Sequence, residues 1–237
     1  MQGKRVVVLT GAGISAESGI RTFRDDGGLW ENHRLEDVAT PEAWGADSGL
    51  VWRFYQARRR QLNEVEPNPA HEALAQLADG LDDFTLITQN VDDLHERGGS
   101  NAVVHMHGQL VTLRCEASGR SDVRMNDSDL GDAFLRCSCC AEPARLRPDI
   151  VWFGEMPMHM EAIYAAVDAC EVFVVVGSSG HVYPAADLVH IAKANGARTV
   201  LVNAEAPLNV EAFDEVHLGK AGELLPGLVE TWLSDNE

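Results

Sequence analysis

The sequence predicts an α/β fold: an open, parallel sheet flanked by helices, with a smaller module inserted into it. Four short runs rich in β-branched residues, Arg5–Thr10, Phe84–Thr88, Val172–Val176 and Thr199–Asn203, carry apolar residues on both faces. Strands covered on both sides read this way, as in a parallel sheet held between helix layers. Between the runs, His71–Ala78, Met160–Ala169 and Ala185–Ala194 have helical spacing and composition, so strand and helix alternate. All four runs end in small or polar residues: Gly11-Ala12-Gly13, Gln89-Asn90, Gly177-Ser178-Ser179 and Asn203-Ala204-Glu205. Ligands of an open α/β sheet sit at the carboxyl ends of its strands, so four such endings point to one shared cleft.

Two stretches break the alternation. Asp25 to Asn68 is rich in Trp, Arg and turn residues and reads as helical in its second half. Gln109 to Pro148 carries four of the five cysteines and a polar middle, Ser118–Asp132. Both read as insertions that together build the smaller, helical and metal-binding module. The 237 residues then form a single domain with a large part over approximately 1–28, 70–108 and 149–237 and a small module over approximately 29–69 and 109–148.

The net charge of −18 argues against a general nucleic-acid binder, because phosphate backbones need clustered Lys and Arg. An acidic surface favours encounter with basic protein segments, and serves solubility equally well. The N-terminus offers four consecutive apolar residues, Val6–Leu9, against the roughly 7–15 of a secretory h-region. No apolar run approaches the ~18–20 residues of a membrane span. The expectation is a soluble, cytoplasmic, monomeric protein with no membrane partner. Three of the five cysteines sit within four positions, Cys137, Cys139 and Cys140, which suits a metal site in a reducing compartment better than a disulfide framework.

Gly11-Ala12-Gly13-Ile14-Ser15-Ala16 follows the first strand and matches the dinucleotide fingerprint with its permitted Ala at the end, which makes the large part Rossmann-like. Glycines let the backbone approach a pyrophosphate, and helix N-terminal amides bind it; a purely structural tight turn reads the same. A redox dinucleotide enzyme next needs a strand ending in an acidic residue ~20 positions on. Here that stretch, Thr22 to Trp30, is a loop, which counts against hydride transfer. At the end of the second strand, Gln89, Asn90 and Asp92 can hold a carboxamide and ribose hydroxyls, or form an Asx turn capping the helix that starts near Asp92. His105 and His107 have strand-like spacing and face one way. They read as metal ligands, as a general base or as satisfied interior residues.

Gly11-Ala12-Gly13-Ile14-Ser15, Ser18-Gly19-Ile20-Arg21-Thr22-Phe23-Arg24, Gly28-Leu29-Trp30, Thr88-Gln89-Asn90-Val91-Asp92 and His105-Met106-His107-Gly108 occur in that order. Together they resemble the sirtuin family of NAD-dependent protein deacylases over nearly the whole chain. The resemblance implies a reaction in which an acyl-lysine oxygen displaces nicotinamide from NAD, giving free lysine and an acylated ADP-ribose, with no redox step. It implies that Gly11, Ala12, Gly13, Phe23, Arg24 and Trp30 belong to the cofactor loop, and that Gln89, Asn90, Val91 and Asp92 bind nicotinamide and ribose. His107, the His before Gly, would be the base, a task that suits imidazole. Gly177, Ser178, Ser179, Asn203, Ala204, Glu205 and Ala221 would meet the adenosine side. Val151, Phe153, Gly154 and Glu155, with Val182 and Tyr183, match two strands that clamp the peptide bearing the acylated lysine by β-augmentation. A mono-ADP-ribosyltransferase shares the nicotinamide cleavage and is the related alternative; a zinc-dependent binding module is disfavoured by the four cleft-facing strand ends.

Tyr55 and Arg58 share a helix face at i, i+3, and a phenol with a guanidinium can hold a carboxylate. Within the sirtuins, Tyr-x-x-Arg marks the branch that removes acidic acyl groups such as succinyl and malonyl, with deacetylation retained; a deacetylase alone is the alternative. The small Ala57 would leave room for an enlarged pocket, while the run Arg58-Arg59-Arg60 also reads as a solvated face. The family's structural zinc takes two Cys pairs. Here Cys137 and Cys140 supply one pair and Cys115 begins the other, but Ser118 stands where its partner thiolate is expected. Cys139 can complete four ligands by local rearrangement. Cys170 reads as a small buried hydrophobe.

Overall fold

The structure, a computed structural model, describes residues 1–20, 29–30, 33–124 and 131–234. Its frame is a six-stranded parallel sheet of β1 (Val6–Thr10), β4 (Phe84–Thr88), β5 (Val103–His105), β9 (Val172–Val176), β10 (Arg198–Asn203) and β11 (Glu215–Leu218), in the order β11-β10-β9-β1-β4-β5. The chain builds outward from β1 to β4 and β5, then returns to the other side of β1 for β9, β10 and β11. That reversal makes the gap between β1 and β9 the topological switch point, where an open α/β sheet binds its ligand.

Alternation along each central strand fills two separate core layers. Val6, Val8, Leu86, Val174 and Val202 pack on one face with Leu74 and Leu77 of α5 (Pro69–Asp79) and Leu225 and Trp232 of α9 (Ala221–Ser234). Val7, Leu9, Ile87, Phe173, Val175 and Leu201 pack on the other with Ile163 and Val167 of α7 (Met160–Ala169) and Leu188 and Ala192 of α8 (Leu188–Ala194). The four strands read from the sequence are therefore β1, β4, β9 and β10. The expected helix over 185–194 is α8 preceded by a 3-10 turn at Ala185–Asp187.

A third core belongs to the insertions. It packs α4 (Ser48–Leu62) and the short α3 (Pro41–Ala46) on an antiparallel sheet of β6 (Gly108–Cys115), β7 (Ser121–Arg124) and β8 (Leu146–Ile150). Trp44, Trp52, Tyr55, Leu113, Leu146 and Trp152 fill it. Buried Arg59 ties α4 to β6: Nε donates to Leu110 O, Nη2 to Thr112 O at 3.5 Å, and Nη1 to Gln56 Oε1 at 2.6 Å. Burial pushes its guanidinium down to about 10. Gly108 starts β6 with φ +82°, and a Cβ there would lie 1.9 Å from Asp149 O of β8, so only glycine permits this crossing. Among the described residues no helix is long and apolar enough to cross a membrane.

Candidate active site

The loops after β1 and β9 meet backbone to backbone at the switch point. Gly13 N donates to Gly177 O at 2.8 Å, and a Cβ on Gly177 would stand 2.4 Å from Ile14 N. Cβ atoms on Gly11 or Gly13 would come within 2.8 Å of the Gly177 backbone. These glycines are required by the contact between the two loops, a reason that the phosphate-binding fingerprint does not contain. Ser178 Oγ accepts from Gln89 Nε2 at 3.0 Å, and Asn203 Nδ2 donates to Ser178 O at 3.1 Å and to Glu205 O at 2.8 Å. The ends of β4, β9 and β10 are thus stitched into one rim, with Ser179 half-buried and Ala204 and Glu205 exposed. Ala221 opens α9 and is buried; beside it, Gly222 N donates to Glu17 Oε1 at 3.0 Å.

Asn90 and Asp92 converge on one hydroxyl. Asn90 Nδ2 donates to Gly11 O at 3.2 Å and to Ser15 Oγ at 3.0 Å, and Asp92 also hydrogen-bonds the Ser15 side chain. Asp92 Oδ1 accepts Leu94 N at 3.2 Å at the start of α6 (Leu94–Arg97), so the Asx turn forms as well. Desolvation pushes the Asp92 carboxyl up, opposed by the Leu94 amide, the Ser15 hydroxyl and His105. Val91 O accepts Leu110 N at 2.8 Å, joining this turn to β6.

His105 at the end of β5 and His107 just after it face the Asn90 and Gln89 carbonyls. His107 Nδ1 lies 2.9 Å from Gln89 O. A carbonyl only accepts, so Nδ1 carries the proton and Nε2 is the basic nitrogen. Burial lowers the His107 imidazole below its ordinary value, partly offset by that bond to Gln89. His105 is buried, with Nε2 at 2.7 Å from Glu96 Oε1 and Nδ1 at 3.3 Å from Asn90 O. Of its three sequence readings, the structure selects the satisfied interior residue.

Phe23 and Arg24 lie outside the described residues, and of Trp30 only its place in the short strand β2 (Leu29–Trp30) is described. Val151 N donates to His107 O at 2.9 Å, which sets the segment from Val151 to Glu155 beside the histidine. Neither this segment nor Gly180–Pro184 is a strand here, contrary to expectation. Gly154 turns the chain at φ +90° while Glu155 Oε2 accepts Trp152 N, and Val182 O is already used by Ala186 N at the start of the 3-10 turn. Phe153, Val182 and Tyr183 are exposed.

Tyr55 and Arg58 are buried on the inner face of α4, which rules out the solvated-face reading for them; Arg60 alone of the arginine run is exposed. Tyr55 Oη accepts from Trp152 Nε1 at 3.0 Å. Burial pushes its phenol up, opposed by Trp152, Arg147 and Arg58. Arg147 stacks 3.5 Å above Trp152 and pairs with Glu155 through both nitrogens. Ala57 points outward and is exposed, so it makes no room in a pocket between Tyr55 and Arg58. Gln56, the other residue between them, is buried and accepts from Arg59 Nη1.

The four sulfurs of Cys115, Cys137, Cys139 and Cys140 lie within 4.8 Å of one another. Cys115 and Cys140 are 3.7 Å apart and Cys139 and Cys140 are 3.8 Å apart. A zinc tetrahedron with Zn–S near 2.3 Å has edges of about 3.8 Å, so the set fits. Cys139 joins the expected ligands Cys115, Cys137 and Cys140. Ser118 Oγ sits 3.2 Å from Cys139 Sγ, so it contacts one of the four clustered thiols and lies outside the sulfur set. Sequence reading also missed Ser15, Arg59 and Trp152 as organising residues; only Ser15, inside the glycine motif, carried a local signal.

A family model described as the Sir2 family matches residues 11–184. The chain belongs to the Sir2 family. A curated relative from Salmonella typhimurium, named NAD-dependent protein deacylase, is 52% identical over 98% of this chain and 85% of its own length. A solved Sir2 homolog–NAD complex superposes with a TM-score of 0.88 at 39% identity, covering 98% of this chain and 91% of that one. A Sir2–p53 peptide–NAD⁺ structure gives 0.81 at 27% identity over 96% and 93%. The Sir2 fold thus accounts for the six-stranded sheet and for the position of its cleft.

Proposed function

We propose that this chain is an NAD-dependent protein-lysine deacylase that removes acetyl and acidic acyl groups, succinyl and malonyl, from lysine side chains. The observation that carries the reading is the convergence of Gln89, Asn90, Asp92 and His107 at the ends of β4 and β5, beside the Gly11–Gly13 and Gly177 loops. Bound NAD supplies an electrophilic ribose carbon and leaves as nicotinamide and an acylated ADP-ribose. Asn90 is tied through Nδ2 to Gly11 and Ser15, which turns Oδ1 toward the cleft to accept from a carboxamide. Asp92, with Gln89 and Val91, holds the nicotinamide ribose. His107 Nε2 takes a proton from a ribose hydroxyl while Gln89 O fixes the ring through Nδ1.

Gly11, Ala12, Gly13, Gly177, Ser178 and Ser179 line the phosphate and ribose path, and Asn203, Ala204, Glu205 and Ala221 the adenosine end. Phe23, Arg24 and Trp30 complete it from the cofactor loop. The peptide lies between Val151–Glu155 and Val182–Tyr183, pairing with backbone there. Tyr55 and Arg58 receive the carboxylate of an acidic acyl group, a reading supported by their burial on one helix face. The four cysteines hold a structural zinc in a module made of residues 29–69 and 109–148. Five free cysteines, four of them clustered, suit a reducing cytoplasm.

The test is His107→Ala on acetyl- and succinyl-lysine peptides. Turnover falls roughly 10²–10⁴-fold, the contribution of a general base, with the melting temperature retained. Near wild-type turnover by the folded variant refutes the assignment.

A further inference from the structure

His105 takes no direct part in the proposed chemistry, yet its two ring nitrogens have an unusual pair of partners. Nε2 lies 2.7 Å from Glu96 Oε1, and Nδ1 lies 3.3 Å from the carbonyl oxygen of Asn90. A carboxylate and a carbonyl both only accept, so each nitrogen must bring a proton. The ring is only 5% exposed, and no solvent exchange substitutes for either partner. Among the described residues, the charged and titratable groups around it are Glu96, Asp92 and His95, with Asp93 and Arg97 paired to each other at 3.8 Å.

The residue beside Glu96 on α6, His95, reaches the backbone of Asn90 from its amide side. His95 Nε2 lies 2.9 Å from Thr10 Oγ1, which bonds Thr88 Oγ1 at 2.8 Å, and Thr88 Oγ1 accepts Asn90 N at 3.0 Å. Through one hydroxyl chain and one imidazole, α6 therefore holds both the N–H and the C=O of Asn90. Arg97 in turn anchors α6, donating to Leu62 O at 3.0 Å and to Val65 O at 2.7 Å.

We propose that Glu96 and His105 form a charged positioning pair, in which Glu96 keeps His105 an imidazolium that grips the Asn90 carbonyl. The pair fixes the turn that presents Asn90 and Asp92. Neither residue touches substrate; both act through Asn90 and Asp92. The proposal rests on the reading of those two residues as NAD contacts.

Two measurements on the full chain test it. Long-range ¹H–¹⁵N correlation spectra of the histidine rings at pH 7 show both His105 nitrogens protonated in the wild type; a His105 ring with one bare nitrogen overturns the proposal. In Glu96→Gln, which keeps the shape and loses the charge, the Kd and KM for NAD rise roughly tenfold while the KM for peptide is unchanged. Glu96→Asp restores part of the affinity. Unchanged NAD affinity in a Glu96→Gln chain whose His105 has become neutral also overturns it. If Glu96→Gln does not fold, His105→Gln, which keeps a donor toward Asn90 without the charge, is read in the same way. A wild-type chain that binds no NAD refutes the proposed function instead, and leaves the protonation result standing by itself.

Discussion

His71→Gln isolates one contribution to the pH dependence of stability. His71 is fully buried in the first turn of α5, where Nδ1 accepts Asn68 N at 3.2 Å, and burial pushes its imidazole from 6.5 down to about 4. The unfolded chain protonates this ring near pH 6.5, whereas the folded chain keeps it neutral until about pH 4. Between those values the unfolded state binds more protons, so stability rises with pH. The contribution is complete above about pH 6.5, is lost as pH falls toward about 4, and changes no further below that. The fall from 6.5 to about 4 corresponds to about 3 kcal/mol in all, of which about 2 kcal/mol is gone at pH 5. Gln at this position can still complete the capping box with Asn68 but does not titrate. The assay is urea unfolding of wild type and His71→Gln at pH 7 and pH 5, with salt and zinc held constant. The wild type loses about 2 kcal/mol more than the variant over that interval. The double difference cancels the thiols, which titrate in both proteins, while His95, whose ring lies 5.0 Å from that of His71, loses a like-charged neighbour in the variant. Equal losses in the two proteins would mean that His71 does not enter the fold as a neutral ring, and the argument fails.

Three further outcomes follow from the site. Arg58→Met lowers the ratio of kcat/KM on succinyl- over acetyl-lysine peptides roughly 10–100-fold, because only the acidic acyl group loses a charge-assisted bond of about 1.5–3 kcal/mol; an unchanged ratio makes the enzyme a plain deacetylase. Metal analysis finds one zinc per chain, lost in Cys139→Ser as in Cys115→Ser but retained in Ser118→Ala. Its removal lowers the melting temperature, and zinc retained by Cys139→Ser would show that Cys139 is no ligand. Because burial lowers the His107 imidazole and the base must be neutral, the acid limb of kcat/KM falls below pH 6.5; a limb at or above 6.5 contradicts His107 as the titrating group.

The sequence by itself determined the central strands, the helices between them and the Gln89–Asp92 and His107-Gly108 motifs. β1, β4, β9 and β10 were legible because a strand buried on both faces writes its environment into consecutive residues. The glycine, Gln89–Asp92 and His107-Gly108 motifs were legible because each is a contiguous run that matches the sirtuin pattern, although Gly11, Gly13 and Gly108 are required by distant contacts with Gly177 and Asp149. The edge strands β5 and β11 escaped, since Val216 and Leu218 remain exposed and leave no apolar run. The β6–β8 sheet escaped because its register shifts between Gln109 and Leu113 and its alternation is interrupted by Pro148. Only the tertiary structure decided that Cys139 and not Ser118 completes the sulfur cluster, that Arg58 and Arg59 turn inward while Ala57 turns out, and that His105 is held between Glu96 and Asn90. Periodicity reports what a residue's near neighbours require of it. Which distant groups close around a thiol, a guanidinium or an imidazole is set by how separate elements pack, and their sequence separation carries no signal for that.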